Sequence, residues 1–171
     1  LMNYPVLSRA VPYAKVQAEA HGKRVEFNLT TNATLLTTKM IEFLAEEDIS
    51  VTVSVDGPRD MQNRFRVFQD GSGSYDVMLP RVRELLQRHR SRPIGARVTL
   101  TSQVNDILGI YQHLTEEIGF QEVGFAPVTT SPGRDHALDG AGFDQMVTQF
   151  KALADEFLRA ALAGQHHGFS N

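Results

Sequence analysis

Val51-Thr52-Val53-Ser54-Val55-Asp56-Gly57-Pro58 places valine at every second position for five residues and then stops at Asp-Gly-Pro. Period-two alternation of β-branched residues predicts a strand, and the Asp-Gly-Pro predicts a turn at its carboxyl end. Upstream, Thr37 predicts the N-cap of a helix running to Glu47, with Met40, Ile41, Phe43 and Leu44 on its buried face. Before it, Val25-Glu26-Phe27-Asn28-Leu29 reads as another strand, and Val6 to Ala20 as a helix ended by Gly22. Pro12 interrupts that helix at a cost of about 3 kcal/mol, which predicts a kink or a second start. Downstream, Asp56 to Gly73 reads as a loop and Ser74 as the cap of a helix to about His89. Ala96 to Thr101 is a third strand, Asn105 or Asp106 opens a helix ending near Gly119, and Val123 to Ala126 is a fourth strand. A loop covers Thr129 to Gly140, and a last helix puts Phe143, Met146, Val147, Phe150, Leu153, Ala154, Phe157 and Leu158 on one face. The tail from Gly164 to Asn171 reads as loose. Strands joined through helices must run parallel. The fold class is therefore α/β, either an open doubly wound sheet or part of a (βα) barrel, and periodicity does not separate the two.

Composition narrows the function classes. The chain has 171 residues, 42% hydrophobic and 22% charged, with a net charge of −3, which suits one globular domain. The charges are interspersed, so neither a nucleic-acid stripe nor a solvating tail is expected. No apolar run reaches the roughly 18 residues a membrane helix needs. With zero cysteines the chain forms no disulfide and holds no metal through thiolates, and a cytoplasmic origin is expected. The six histidines are scattered and no metal ligand set is expected. Gly71-Ser72-Gly73-Ser74 comes after a loop rather than a strand and lacks the lysine of a phosphate loop.

In an open sheet and in a barrel alike, ligands sit at the carboxyl ends of the strands. Those ends carry Thr30-Thr31-Asn32, then Ser54-Val55-Asp56-Gly57-Pro58, then Thr99-Leu100-Thr101, then Ala126-Pro127-Val128. Hydroxyls, an amide and a carboxylate together suit a polar ligand with a ribose or an amino-acid head. The same residues also suit turns and helix caps, so both readings stand at this point.

Phe27-Asn28-Leu29-Thr30-Thr31-Asn32-Ala33-Thr34-Leu35-Leu36 resembles the "TNGTLL" segment of radical S-adenosylmethionine (AdoMet) enzymes with a SPASM-type extension. Val53-Ser54-Val55-Asp56-Gly57-Pro58 resembles their "SLDGP", and Arg66 to Asp76 their "NRxxxxGxGSFD". Leu1-Met2-Asn3-Tyr4-Pro5 is similar to the segment directly after "GGEP" in that family. The resemblance implies the third to sixth strands of a partial TIM-type barrel over residues 1–140, then a C-terminal helix and tail over 141–171 that lead toward a further region. It implies a chain that begins mid-protein, after the CxxxCxxC segment of the [4Fe-4S] cluster. By this resemblance the full-length protein is a radical AdoMet oxidoreductase or maturase. Its reduced cluster cleaves AdoMet to a 5′-deoxyadenosyl radical, and this chain alone is inactive.

The resemblance also implies residue roles. Ser54 and Arg66 hold the methionine carboxylate of AdoMet, Thr31 and Asn32 line its pocket, the backbone around Pro127 and Val128 reads the adenine, and Asp56 faces the same cavity. Ala33 stands where glycine is usual, which puts a left-handed backbone there in doubt, and Phe65 stands where asparagine is usual before Arg66. Gly124 to Arg134 most resembles maturases that cross-link peptides through thioethers, in particular those of quinohemoprotein amine dehydrogenase maturation. Sulfatase (formylglycine) maturases share the core motifs and are the alternative, beside a non-catalytic ligand- or partner-binding module. The partner is a peptide or protein substrate, with no nucleic acid and no membrane. The barrel geometry would leave Phe27, Leu29, Val53, Val55 and Phe125 facing a half-filled interior. The fragment is therefore expected to pair through its open edges, or else to fold its last helix over the opening.

Overall fold

The computed structural model describes residues 3–129 and 136–170. Leu1-Met2 of the N-terminal motif and Thr130 to Arg134 of the last motif lie outside the described residues. Helix α1 (Tyr4–Ala20) leads to β1 (Asn28–Thr31), α2 (Thr38–Glu46), β2 (Ser50–Ser54), α3 (Arg59–Phe65) and α4 (Tyr75–Arg88). Next come β3 (Ile94–Leu100), α5 (Ile107–Gln112) with a π-helical continuation (His113–Ile118), β4 (Glu122–Pro127) and α6 (Gly140–Leu162). The sheet is four-stranded and parallel, in the order β1-β2-β3-β4, as strand–helix alternation requires. Thr31, Ser54, Thr101 and Val128 therefore stand at or just beyond one rim, the carboxyl rim.

Local chemistry explains most boundaries. Thr37 Oγ1 accepts from Met40 N, Asp106 from Gly109 N and Asp139 from Gly142 N, each satisfying an orphan N–H of a first helical turn. Helix α1 runs through Pro12 without a second start. Strand β1 begins at Asn28 rather than Val25, because Ser50, where β2 begins, is in register with Asn28. Ser74 precedes α4 without capping it, since its hydroxyl accepts from the buried amide of Gln62 instead. The stretch from Asp56 to Gly73 is not all loop: Arg59–Phe65 forms α3, a polar helix without apolar periodicity. Ala33 keeps a left-handed backbone, φ 60°, without glycine.

Register sorts the strand residues onto two unlike faces. Leu29, Val51, Val53, Ile94, Ala96, Val98, Val123 and Phe125 share one face, and all except half-buried Leu29 are buried. This face is covered by the helix layer, where Ile41, Leu44, Met78, Val82, Leu85, Ile107, Ile110 and Leu114 are fully buried. The other face carries Thr30, Thr52, Ser54, Gly95, Arg97, Thr99, Glu122 and Gly124. The expectation that Leu29, Val53, Val55 and Phe125 face an empty interior is thus overturned: Leu29, Val53 and Phe125 lie on the helix-side face, and Val53, Val55 and Phe125 are buried. Phe27 likewise packs against the core. Helix α6 does not cover the open face either. Phe150 meets the ring of Phe125 edge-on at 6.0 Å, and Gln149 Nε2 donates to Asn105 O at 2.9 Å, so α6 joins the helix layer beside α5.

The tail is docked, not loose. Val123 N donates to Gly168 O at 2.7 Å and Ser170 N to Val123 O at 3.1 Å, a parallel bridge that occupies the outer edge of β4. His167 stacks on Tyr111 with centroids 5.1 Å apart, and the Tyr111 hydroxyl accepts from Gly168 N. Phe169 packs into the core beside Phe150. If this ring anchors the edge, Phe169→Ser will accelerate hydrogen exchange of the Val123 amide by at least about tenfold, a shift of about 1.4 kcal/mol. The amides of Val53 and Val98 will stay protected. Equal acceleration at all three would show that the substitution loosens the whole sheet.

Candidate functional site

Strand β2 ends where the chain turns at Asp56, and the side chain of Asp56 continues the ladder that the backbone leaves. Val55 N donates to Arg97 O at 3.1 Å, and the next β3 donor, Thr99 N, is taken by Asp56 Oδ1 at 3.1 Å. Asp56 N in turn donates to Gln62 Oε1 at 2.8 Å, and Gln62 Nε2 donates to Ser74 Oγ at 3.1 Å. Gly57 comes next, with φ 128°, and lies so close to Ile110 that a Cβ would meet its Cγ1 at 3.0 Å. Only glycine passes there without displacing core. Pro58 then precedes α3, whose last residues return the chain to the rim.

That return places Arg66 against Asp56. Arg66 Nε donates to Oδ2 at 2.6 Å and Nη2 to Oδ1 at 2.9 Å, a bidentate fork on a carboxylate that is 4% exposed. Beyond it, Val67 to Gly73 closes a small hairpin. Phe68 N donates to Ser72 O, Ser74 N to Arg66 O, and Asp70 accepts from both the amide and the hydroxyl of Ser72. The Ser72 hydroxyl, then its amide, hold the Asp70 carboxyl below its ordinary pKa. These donors are used inside the turn, which fits the reading of Gly71-Ser72-Gly73-Ser74 as something other than a phosphate cradle.

A cavity of about 290 Å³ opens at the rim, lined by Asp56, Phe65, Arg66, Thr99, Thr101, Val128 and His136. Asp56, Arg66 and Val128, to which the resemblance gives roles, meet there beside Thr99 and Thr101 from the third strand end. Pro127 ends β4 with an exposed ring, and Val128 N extends the ladder by donating to Leu100 O. Thr31 is buried on the helix side and its hydroxyl accepts from Ala33 N at 3.1 Å. Asn32 Oδ1 accepts from the amide and hydroxyl of Thr34. Ser54 stands on the open face, in register with Arg97. Sequence reasoning passed over Gln62 and His136. A buried amide that bridges two loops has no periodic signature, and His136 reaches the cavity from a long connection whose path the sequence does not declare.

No family model matches the chain. Over 113 residues, 64% of its length, it is 29% identical to the serine-type anaerobic sulfatase-maturating enzyme of Bacteroides thetaiotaomicron. Over that stretch the chain is similar in sequence to a sulfatase-maturating enzyme. The match spans 26% of the Bacteroides protein, about a quarter of its length. Native anSMEcpe with bound AdoMet and Cp18Cys peptide superposes with a TM-score of 0.75 at 19% identity, over 91% of this chain and 43% of that one. The same protein with bound AdoMet alone gives 0.74 at 17% identity, over the same shares. These likenesses establish the fold. The curated relative speaks for the sulfatase-maturase alternative and adds nothing to the thioether preference.

No group of three or more His, Cys, Asp or Glu among the described residues is placed to hold a metal ion, and no helix there is long and apolar enough to cross a membrane. Arg66→Ala strands a buried Asp56 carboxylate, so it will lower unfolding stability by about 3–5 kcal/mol. The double variant Arg66→Met with Asp56→Asn, which removes the charge but keeps an oxygen for Thr99 N, will recover part of that loss in urea titration. A single-variant loss under about 1 kcal/mol would mean that the pair is solvated rather than structural.

Proposed function

We propose that this chain supplies the AdoMet- and substrate-facing part of a longer radical SAM enzyme that modifies a peptide or protein. The observation that carries the reading is the relationship to a sulfatase-maturating enzyme. Support comes from a rim cavity with a paired arginine and carboxylate, and from a fold shared with a protein solved with AdoMet and peptide bound. In this reading β1 to β4 are the third to sixth strands of the barrel, residues 141–171 lead from it toward a further region, and the enzyme works in the cytoplasm.

The residues present fit AdoMet and do not fit its partner cluster. Iron–sulfur clusters need thiolates, and the chain has zero cysteines. Its own residues therefore hold no cluster, and by itself it should be inactive. When bound, AdoMet supplies the reactive group by reductive cleavage, and the protein binds and orients it. Ser54 on the open face offers a hydroxyl to the methionine carboxylate. Arg66 offers its remaining Nη1, because Nε and Nη2 are committed to Asp56. Val128 and the backbone before it offer an edge to the adenine, while Thr31 and Asn32 act through the turn that shapes the pocket wall. Asp56 orients Arg66 and closes the β3 ladder.

Between target chemistries, formylglycine formation on a sulfatase is favoured by the curated relative. Thioether cross-linking rests on the string from Gly124 to Arg134 alone, of which Thr130 to Arg134 lie outside the described residues. Self-association of the isolated chain would use the outer edge of β1, which has no strand partner among the described residues.

Three measurements test the reading. The gene should encode CxxxCxxC upstream of Leu1, and the reconstituted full-length protein should form 5′-deoxyadenosine only with reductant. Ser54→Ala should weaken AdoMet binding about 5- to 10-fold by calorimetry, the worth of roughly one hydrogen bond. A full-length protein without the cysteines, or unchanged affinity in Ser54→Ala, would remove respectively the enzyme class and the role of Ser54.

A further inference from the structure

Arg97 sits mid-strand on the open face of β3, exposed, in register with Ser54 on one side and Gly124 on the other. Among the described residues its guanidinium has no hydrogen bond and no ion pair, whereas the fork of Arg66 is taken up by Asp56. Of the described strand residues on this face it is the one cation, and Glu122 the one acid. No ion pair joins the two among the described residues; Glu122 lies beside Gly95, two residues before Arg97 on β3.

We propose that Arg97 binds a carboxylate on the peptide or protein substrate, an inference that rests on the peptide-modifying reading above. A groove of about 340 Å³ runs over this face, lined by Thr30, Thr52, Gly95, Arg97, Glu122 and Gly124 among others. Gly95 and Gly124 put no side chain into it, which leaves room beside the exposed Arg97. A carboxylate fits that fork bidentately, with the Thr52 hydroxyl, which lines the same groove, as a further donor. Glu122 repels an anion that goes deeper and so fixes the depth at which the carboxylate stops. Thr99, two residues on and on the same face, lines the rim cavity about 6.6 Å away. A chain that enters at the rim therefore reaches Arg97 with its next groups.

The test is a random-heptapeptide display library selected on the AdoMet-loaded full-length protein, in wild type, Arg97→Gln and Arg97→Glu. AdoMet calorimetry and thermal melts on each protein run alongside. Wild type is expected to enrich Asp and Glu at one position. Arg97→Gln is expected to lose that preference and weaken the best acidic peptide about 10- to 100-fold. Arg97→Glu is expected to enrich Lys and Arg at the same position, and AdoMet affinity to stay constant. The same charge preference in all three proteins overturns the proposal. So does a loss of AdoMet affinity in a normally melting Arg97→Gln, which would assign the cation to the cofactor. Charge preference that tracks residue 97 in a protein that binds no AdoMet keeps the Arg97 site and removes the cofactor reading instead.

Discussion

The carboxylate of Asp56 is the constraint on which the candidate site depends. It is nearly without solvent, and a buried charge is tolerable only when paired and hydrogen-bonded. Here it takes two donors from Arg66 and one from the Thr99 amide, while the amide of Asp56 is fixed by Gln62. One residue thereby stitches together the end of β2, the end of β3, the body of α3 and the chain leaving α3. Those segments build much of the rim cavity. The chemistry proposed for the rim consequently sits on a scaffold that stores polar cost in its interior. The cost is offset locally, by a closed set of partners, and loss of any one partner leaves the others exposed to it.

The two faces of the sheet give that scaffold its direction. Valine, isoleucine and leucine on one face pair with a helix layer, so the hydrophobic driving force acts on that side. The opposite face has threonine, serine, glycine, arginine and glutamate, which lose little by meeting water. A four-stranded piece can therefore leave this face open without an apolar wound. The same composition suits the face to binding: hydroxyls and the Arg97 guanidinium, unpaired among the described residues, have hydrogen-bonding capacity to offer, and glycines leave room for a ligand to use it.

Strand identity, parallel order and rim position were legible in the sequence because Val51 to Val55, Ala96 to Leu100 and the caps Thr37 and Asp106 carry short-range signals. The illegible features are long-range. The helix Arg59–Phe65 has too few apolar residues to show a period, and it forms because Gln62 and Arg66 find partners on other elements. The docked tail depends on Phe169 meeting Phe150 and on one strand edge being vacant, neither of which local pattern encodes. Which face of each strand points inward was also ambiguous. Alternation reveals that two faces differ but not which one the helices cover, and the apolar face was assigned to the barrel interior when it belongs to the helix layer. Of the site, Asp56, Arg66 and Val128 came from motif likeness, while Gln62 and His136 required the three-dimensional path.

Ala33 shows how such a scaffold absorbs a local departure. A left-handed alanine costs about 1–2 kcal/mol relative to the right-handed form, which is why glycine is usual at such a place. The turn around it is held from several sides. Its amide donates to Thr31 Oγ1, its carbonyl accepts from Leu36 N, and Asn32 holds both the amide and the hydroxyl of Thr34. The methyl group of Ala33 is itself fully buried, which returns about 0.8 kcal/mol. Burial offsets part of the strain and the hydrogen bonds around the turn carry the rest, so alanine holds the left-handed conformation here. Thr31 and Asn32, which motif likeness assigns to the pocket, are the residues that make this possible. Their side chains are committed to the turn, and any part they play toward a ligand runs through the backbone that the turn presents at the rim.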